Sequence, residues 1–380
     1  MTRWDAAVVG AGSFGAWTAW HLRRAGLSVL LLDAWGPGNA RSSSGGESRL
    51  VRAGYGPDEA YSRLALRSLD QWTALAGETG EPFFHRTGVL WLAREGDAYA
   101  EATSDTLARL GVRHERLTGT GLREGYPQFA LAPATWGLLE PDAGVLMARR
   151  AVQAAARRAV REGVSYRTAA VRPPSPGDAP GTLVAAGGTV RAGTLVFACG
   201  PWLPGLFPDL LGERIFPTRQ EVFFFGAPPG DDSFAPPRMP AWIDFGEETY
   251  GAPDLDGRGF KVAPDRHGPP FDPDRGERLV APASVERVRA FVALRFPALR
   301  DAPLLETRVC QYENTSSGDF LVDRHPDRPE VWLVGGGSGH GFKHGPAIGE
   351  HVADRIVRGA PAEPRFSLAT KRTVQERAVY

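Results

Sequence analysis

The stretch Asp5–Asp33, DAAVVGAGSFGAWTAWHLRRAGLSVLLLD, decides the fold. Ala6–Val9 reads as a strand, Ser13–Ala25 as an amphipathic helix and Ser28–Leu32 as a second strand. Between the first two lies Gly10-Ala11-Gly12-Ser13-Phe14-Gly15, a G-x-G-x-x-G in the context that gives the pattern meaning. Gly10 permits a sharp turn, Gly12 leaves the backbone open to a pyrophosphate, and Gly15 lets the helix pack on the strand. The helix N-terminus offers free N–H groups and a positive dipole end to phosphates. Asp33 closes the second strand, where an acidic side chain accepts hydrogen bonds from a ribose. A glycine-rich turn without a ligand is the plainer alternative. Strand, helix, strand and acid together favour a dinucleotide, but they do not separate FAD from NAD.

The chain has 380 residues and equal numbers of acidic and basic side chains. That length suggests two domains or one large fold with an insertion. No large field draws it to nucleic acid or an acidic membrane surface. The first strand starts near residue 6, which leaves no room for a signal peptide. No apolar run approaches the ~20 residues of a membrane span. Cys199 and Cys310 are too few for a disulfide scaffold, and no His/Cys/Asp cluster has metal-ligand spacing. A cytoplasmic protein acting on small molecules, with neither nucleic acid nor membrane as partner and without a metal, is the expectation.

The 44 basic residues comprise 41 Arg and only three Lys, at 261, 343 and 371. Where Arg is so strongly favoured, a retained Lys suggests a site that needs a compact ammonium rather than a planar fork. Lys261 and Lys343 both stand in Gly-Phe-Lys. Lys371 lies in a polar tail and reads as chance retention.

Beyond Asp33 a Gly/Ser-rich loop, 36–46, leads into Glu47-Ser48-Arg49-Leu50-Val51-Arg52. Two arginines delivered by a flexible polar segment suit carboxylate binding. Helices are expected at 60–76, 97–110, within 144–161, at 283–296 and at 346–357. Strands are expected at 87–92, 164–170, in a hairpin over 182–190, and in the run TLVFACGPW that ends beside Cys199, a small buried residue. Residues 212–297 carry strand-forming runs between turn residues, which suggests an antiparallel sheet. Two further strands (306–313 and 319–322) precede a last one, 331–335, which runs into Gly-Gly-Gly-Ser-Gly-His-Gly-Phe-Lys and a helix. The nucleotide-binding sheet is therefore expected to resume at the C-terminus. The predicted fold is α/β: a Rossmann-like dinucleotide-binding domain (1–85, 145–215 and 325–380) with an inserted antiparallel α+β substrate domain (86–144 and 216–324).

Several separate motifs now agree. The N-terminal βαβ unit, SSSGGESRLVRAGYG (42–56), YGAPDLDGRGFK (250–261), VCQYENTSSGDFLVDRHP (309–326) and GSGHGFKHG (337–345) together resemble the sarcosine oxidase and N-methyltryptophan oxidase family. That family belongs to the D-amino-acid oxidase group of flavoproteins. The resemblance implies FAD, held by Gly10, Gly12, Gly15 and Asp33, with Ser44 from the serine loop. It implies a thioether from Cys310 to the flavin ring and places Arg49 close to that ring. Arg52 and Lys343 match the pair that holds the substrate carboxylate, and Lys261 matches the lysine that promotes reaction with oxygen. Tyr250 and Tyr312 match tyrosines lining the substrate cage. Gly339, His340, Gly341 and Lys343 lie in the loop that approaches the flavin. The pocket departs from the family pattern at Asp265 and Gly45, where the family carries histidines, and at Ala252, where it carries an aromatic. These changes point away from sarcosine itself as the substrate.

The implied chemistry is the oxidation of a secondary, N-methylated or cyclic amino acid at its C–N bond, with O2 reduced to H2O2. Arg52 and Lys343 anchor the carboxylate, and Tyr250, Tyr312 and Trp242 would wall the site against water. No general base stands out, and hydride transfer from a neutral amine needs none. A cation at Lys261 stabilises negative charge developing on oxygen. The alternative is a flavin-dependent amino acid dehydrogenase that passes its electrons to another acceptor, and the retained Lys261 argues against it.

Overall fold

The computed structural model describes residues 3–133, 135–175 and 177–376. The opening stretch forms β1 (Arg3–Val9), α1 (Ser13–Arg24) and β2 (Val29–Asp33). β1 begins earlier than its apolar run because Arg3 and Trp4 already pair with Arg191 and Ala192. It lies parallel to β2 on one side and to Gly188–Phe197 on the other. Ser165–Thr168 extends the sheet parallel to β2. Arg328–Gly335 adds a parallel strand beside Leu195–Phe197, so the sheet does resume near the C-terminus. Ala6–Val9 and Val29–Leu32 are buried throughout, as central parallel strands covered on both faces require.

α1 packs against the C-terminal helix Gly345–Arg358 at a very short separation. A Cβ on Gly345 would lie 2.1 Å from Ser13 Oγ, and one on Gly349 would lie 2.6 Å from the backbone of Trp17. This close crossing carries the loop before the second helix onto the dinucleotide turn: Ser13 Oγ donates to the Phe342 carbonyl at 2.7 Å.

The second sheet has eight strands, in the order Leu304–Asn314, Phe216–Phe225, Phe260–Pro264, Thr249–Ala252, Ala241–Asp244, Val89–Arg94, Thr135–Glu140 and Glu115–Leu117. It is antiparallel except where Ala241–Asp244 runs parallel to Val89–Arg94. The helix Pro282–Arg295 covers one face through Val288 and Val292, against Phe223, Phe225, Trp242 and Phe260. The other face carries the site. Directly opposed residues share a face and alternate residues return to it. The register Cys310↔Gln220, Phe224↔Lys261 and Lys261↔Ala252 therefore puts Cys310, Tyr312, Lys261 and Tyr250 on that one face.

A third, three-stranded sheet joins Ser48–Val51 to Gly144–Met147 and that strand to Phe84–His85. The expected helix within 144–161 thus splits into a strand and the helix Ala148–Arg161. Among the described residues no helix is long and apolar enough to cross a membrane.

Two expectations need correction. Trp242 is not a cage wall: it is fully buried on the far face, stacked on Phe260 and Phe291. Lys371 is not a surface residue of a polar tail. It is fully buried, and its ammonium donates to the Arg365 carbonyl at 2.5 Å and to Thr370 Oγ1 at 3.0 Å.

Candidate active site

A cavity of about 350 Å³ extends from the Gly10–Gly12 turn to Cys310. Gly10 has φ +98°, and a Cβ there would lie 2.3 Å from the Ala198 carbonyl oxygen. Gly15 is a packing residue: its Cβ would lie 1.8 Å from the Gly10 carbonyl oxygen. Gly12 lines the cavity, and a Cβ there would lie 3.4 Å from Ser44 Oγ. Ser44 Oγ accepts the Ser13 N–H at the start of α1 (3.1 Å). Asp33 also lines the cavity, and its carboxylate ties the turn together. Oδ2 accepts from Ala11 N–H, and Oδ1 accepts from the N–H groups of Trp35 and Gly36, all at 2.8 Å. Cys199 sits beside them, its thiol on the Val9 carbonyl (3.4 Å) and its pKa pushed up by burial. The glycine cradle, the helix N-terminus and a cavity continuous to Cys310 fit a dinucleotide carrying a ring system at its far end.

At that far end Arg49 donates from Nη2 to the Ser43 carbonyl (2.8 Å) and to Cys310 Sγ (3.3 Å). Lys261 is 1% exposed. Its ammonium donates to the Ser48 carbonyl at 3.0 Å and lies 4.9 Å from the centre of the Tyr250 ring. Burial, and then the Arg49 charge, lower its pKa to about 7. Tyr250 and Tyr312 share a hydrogen bond, and burial raises Tyr250 to about 12. Tyr312 in turn donates to Asp265 Oδ1 at 3.3 Å. Burial raises Asp265 to about 7, against the pull of Arg52, Lys343 and Lys261.

The two cations expected to hold a carboxylate meet on one aromatic ring. Arg52 lies 4.7 Å and Lys343 5.0 Å from the centre of Tyr55, and both are buried. Arg52 also lies 4.4 Å from the Trp91 ring and donates to the Gly54 carbonyl. Lys343 donates to the His340 carbonyl at 3.2 Å, and its own carbonyl takes the Trp72 indole N–H at 2.9 Å.

Gly339 and Gly341 line the cavity, but the His340 side chain turns away from it. Its ring stacks on Phe320, with Nε2 at the Gly318 carbonyl (3.0 Å) and Nδ1 at the Tyr55 hydroxyl (3.2 Å). That hydroxyl also meets His344 Nε2 at 2.6 Å. Sequence reasoning missed Tyr55, Trp91 and His344, and also Glu140. Glu140 is buried and accepts from Ala53 N–H (2.7 Å), Gly54 N–H (3.1 Å) and the Trp91 indole (2.9 Å). It fixes the backbone that presents Arg52. An acid closing the apolar run TWGLLE was the available signal.

A family model described as FAD dependent oxidoreductase matches residues 5–355. The chain belongs to this family. It is 32% identical to a monomeric sarcosine oxidase of Streptomyces avermitilis, over 95% of each chain. It is 28% identical to an N-methyl-L-tryptophan oxidase of Salmonella heidelberg, covering 95% of this chain and 96% of that one. Among solved structures it is similar to glycine oxidase from Geobacillus kaustophilus, with a TM-score of 0.80, 22% identity, and 97% and 99% of the two chains covered. The fold class read from the sequence is therefore the observed one, and the cofactor of this oxidoreductase is FAD.

Proposed function

We propose that this oxidoreductase oxidises the C–N bond of an N-methylated, secondary or cyclic amino acid to an imine, with O2 reduced to H2O2. The substrate gives up two electrons and two protons, and O2 takes up the same number. The observation that carries the reading is the pair of buried cations, Arg52 and Lys343, held against the Tyr55 ring. A guanidinium binds a carboxylate bidentately, and a second positive charge beside it adds to the attraction. The relatives named for sarcosine and N-methyltryptophan oxidation support an N-methyl amino acid as that anion.

FAD would be held by Gly10, Gly12, Asp33, Ser44, Arg49, Gly339 and Gly341, with Gly15 shaping the turn and Cys310 forming the thioether. When bound, it supplies the two-electron acceptor and the route to oxygen. Arg52 and Lys343 orient the substrate, while Tyr250 and Tyr312 exclude water and disfavour a charged amine by desolvation. Lys261 offers positive charge where oxygen is reduced. We assign residues 1–85, 145–215 and 325–380 chiefly to the cofactor side and 86–144 with 216–324 chiefly to the substrate side, although Leu321–His325 pairs into the first sheet and Cys310, Arg52 and Lys343 each reach across the division.

The test is oxygen uptake and peroxide formation across N-methyl and cyclic amino acids under air. A substrate that bleaches the flavin rapidly without consuming oxygen would replace the oxidase by a dehydrogenase.

A further inference from the structure

Asp265 stands one residue past the strand Phe260–Pro264 and four past Lys261, so the alternation of the strand returns its side chain to the Lys261 face. Its N–H donates to the Glu248 carbonyl at 2.7 Å, which pins it in place. Its Oδ1 accepts from the Tyr312 hydroxyl at 3.3 Å. The residue is half-buried, and it lines a second cavity, of about 200 Å³. That cavity adjoins the substrate anchor. Its wall residue Ile243 opposes Tyr250 and Trp91 in the sheet, and its wall residue Phe245 packs on the Trp91 ring at 5.0 Å. Arg52 rests on the same indole. Asp265 is therefore a carboxylate open to a cavity, between the cage tyrosines and the anchor. Arg52, Lys343 and Lys261 face it on the cage side, with the Tyr250 and Tyr312 hydroxyls. Asp97, Asp244 and Glu248 share the cavity wall, where Arg295 pairs with Asp244 and Arg266 with Glu248.

An amino acid brings an ammonium one carbon away from its carboxylate. Cations that attract the carboxylate repel that ammonium, so a site for both groups needs an anion next to the cations. Glu140 is engaged by three donors behind Arg52, whereas the Asp265 carboxylate accepts from Tyr312 alone among the described residues. We propose that Asp265 binds the substrate amine and takes its proton, while Arg52 and Lys343 hold the carboxylate. The inference rests on the reading of Arg52 and Lys343 as the carboxylate anchor. The proton passes from the ammonium nitrogen to the Asp265 carboxylate. The nitrogen keeps its electron pair, and the carboxyl becomes neutral. The neutral amine is then the form that loses a hydride from the adjacent carbon. Burial raises Asp265 to about 7 against its three cationic neighbours, so it takes and returns a proton near neutral pH. The same cations and the apolar walls loosen the ammonium proton. In the sequence, position 265 stands out only for carrying an acid where the family pattern has histidine.

The test uses the FAD-loaded enzyme and two carboxylates of one shape, with binding read by the change in flavin absorption. N,N-dimethylglycine has a protonated nitrogen where 3-methylbutanoate has a CH. At pH 9 the wild type is expected to bind dimethylglycine more tightly by about tenfold or more, and Asp265→Asn is expected to lose that preference. Equal binding of the two by the wild type, or an unchanged preference in Asp265→Asn, overturns the proposal. Tyr312→Phe cuts the same hydrogen bond but keeps the carboxylate, so it should keep the preference. A loss there as full as in Asp265→Asn overturns the proposal in favour of Tyr312. The wild type alone gives a second reading. Between pH 9 and pH 6 its preference should fall about tenfold as solvent protonates a carboxyl of pKa about 7, and a constant preference overturns the proposal. Lys261 titrates in the same range but acts on both carboxylates alike, so it drops out of the ratio. For the proton itself, infrared difference spectra at pH 9 should show a carboxyl C=O band that appears with dimethylglycine, is absent with 3-methylbutanoate and is absent in Asp265→Asn. No such band overturns the transfer. Failure of the anchor reads differently. A wild type that binds neither carboxylate, or an Arg52→Ala variant that binds both as the wild type does, removes the anchor and Asp265 with it, whereas equal wild-type binding of both removes Asp265 alone.

Discussion

Lys261 Nζ donates to the Ser48 carbonyl at 3.0 Å, which fixes a buried ammonium against the backbone immediately before Arg49. A cation held this way requires no reorganisation when negative charge appears beside it. Lys261→Met is therefore expected to slow reoxidation of the reduced enzyme by about 10²-fold, in line with the loss of one preorganised electrostatic group. Flavin reduction by substrate should change little. Stopped-flow measurement of the two half-reactions checks this, and equal losses in both would remove the assigned role.

The same lysine gives a pH dependence. Its pKa is lowered to about 7, first by burial, so the ammonium is present below that pH and lost above it. The oxygen half-reaction should slow as pH rises through about 7, and Lys261→Met should abolish that inflection. Stability moves the other way. Between about 7 and the ordinary lysine value the unfolded chain binds the extra proton, so this group favours the folded state increasingly as pH rises. Melting curves of the wild type and Lys261→Met at pH 6 and pH 9 should show the methionine variant relatively more stable at pH 6.

Arg49 Nη2 lies 3.3 Å from Cys310 Sγ and holds that sulfur at the cavity wall. Acid precipitation of the native enzyme should give a yellow pellet, and Cys310→Ser should release its flavin into the supernatant. Flavin still bound to the denatured serine variant would refute the thioether.

The dinucleotide turn was legible because its chemistry is local. Gly10 needs a positive φ, Gly15 needs to clear a carbonyl, and both demands fall within six residues of one motif. Cys310 and Tyr250 were legible only through family likeness, and Lys261 otherwise only as one of three retained lysines, since it takes three strand pairings to bring them onto one face. Trp242 was misread because a strand residue's face depends on its register, and register is not written in the residue itself. Lys371 was misread because a polar composition looks exposed until the Arg365 carbonyl that satisfies its ammonium is known. Gly345 and Gly349, four apart on one helix, serve a helix crossing that no local pattern announces.

The substrate anchor gives a further expectation. Arg52 lies between the Tyr55 and Trp91 rings, at 4.7 and 4.4 Å from their centres. Arg52→Ala should raise KM for the amino acid by about 10- to 100-fold, the range of a charged hydrogen bond worth roughly 1.5–3 kcal/mol. An unchanged KM would count against the anchor.

Glu140 tests whether that anchor is placed from behind. Its carboxylate takes three buried donors, Ala53 N–H, Gly54 N–H and the Trp91 indole, and so holds both the backbone beside Arg52 and one of the rings on which its guanidinium rests. Glu140→Gln turns one acceptor into an N–H₂ facing those donors, which should cost about 1–3 kcal/mol of stability. It should also raise KM about tenfold while kcat changes less, because a displaced anchor weakens binding before it alters chemistry. Unfolding in denaturant and steady-state kinetics measure the two effects together. A stability loss with KM unchanged would make Glu140 a core residue only. A rise in KM that is absent in an Arg52→Ala/Glu140→Gln double variant compared with Arg52→Ala alone, while the stability loss remains, would show that Glu140 acts through Arg52.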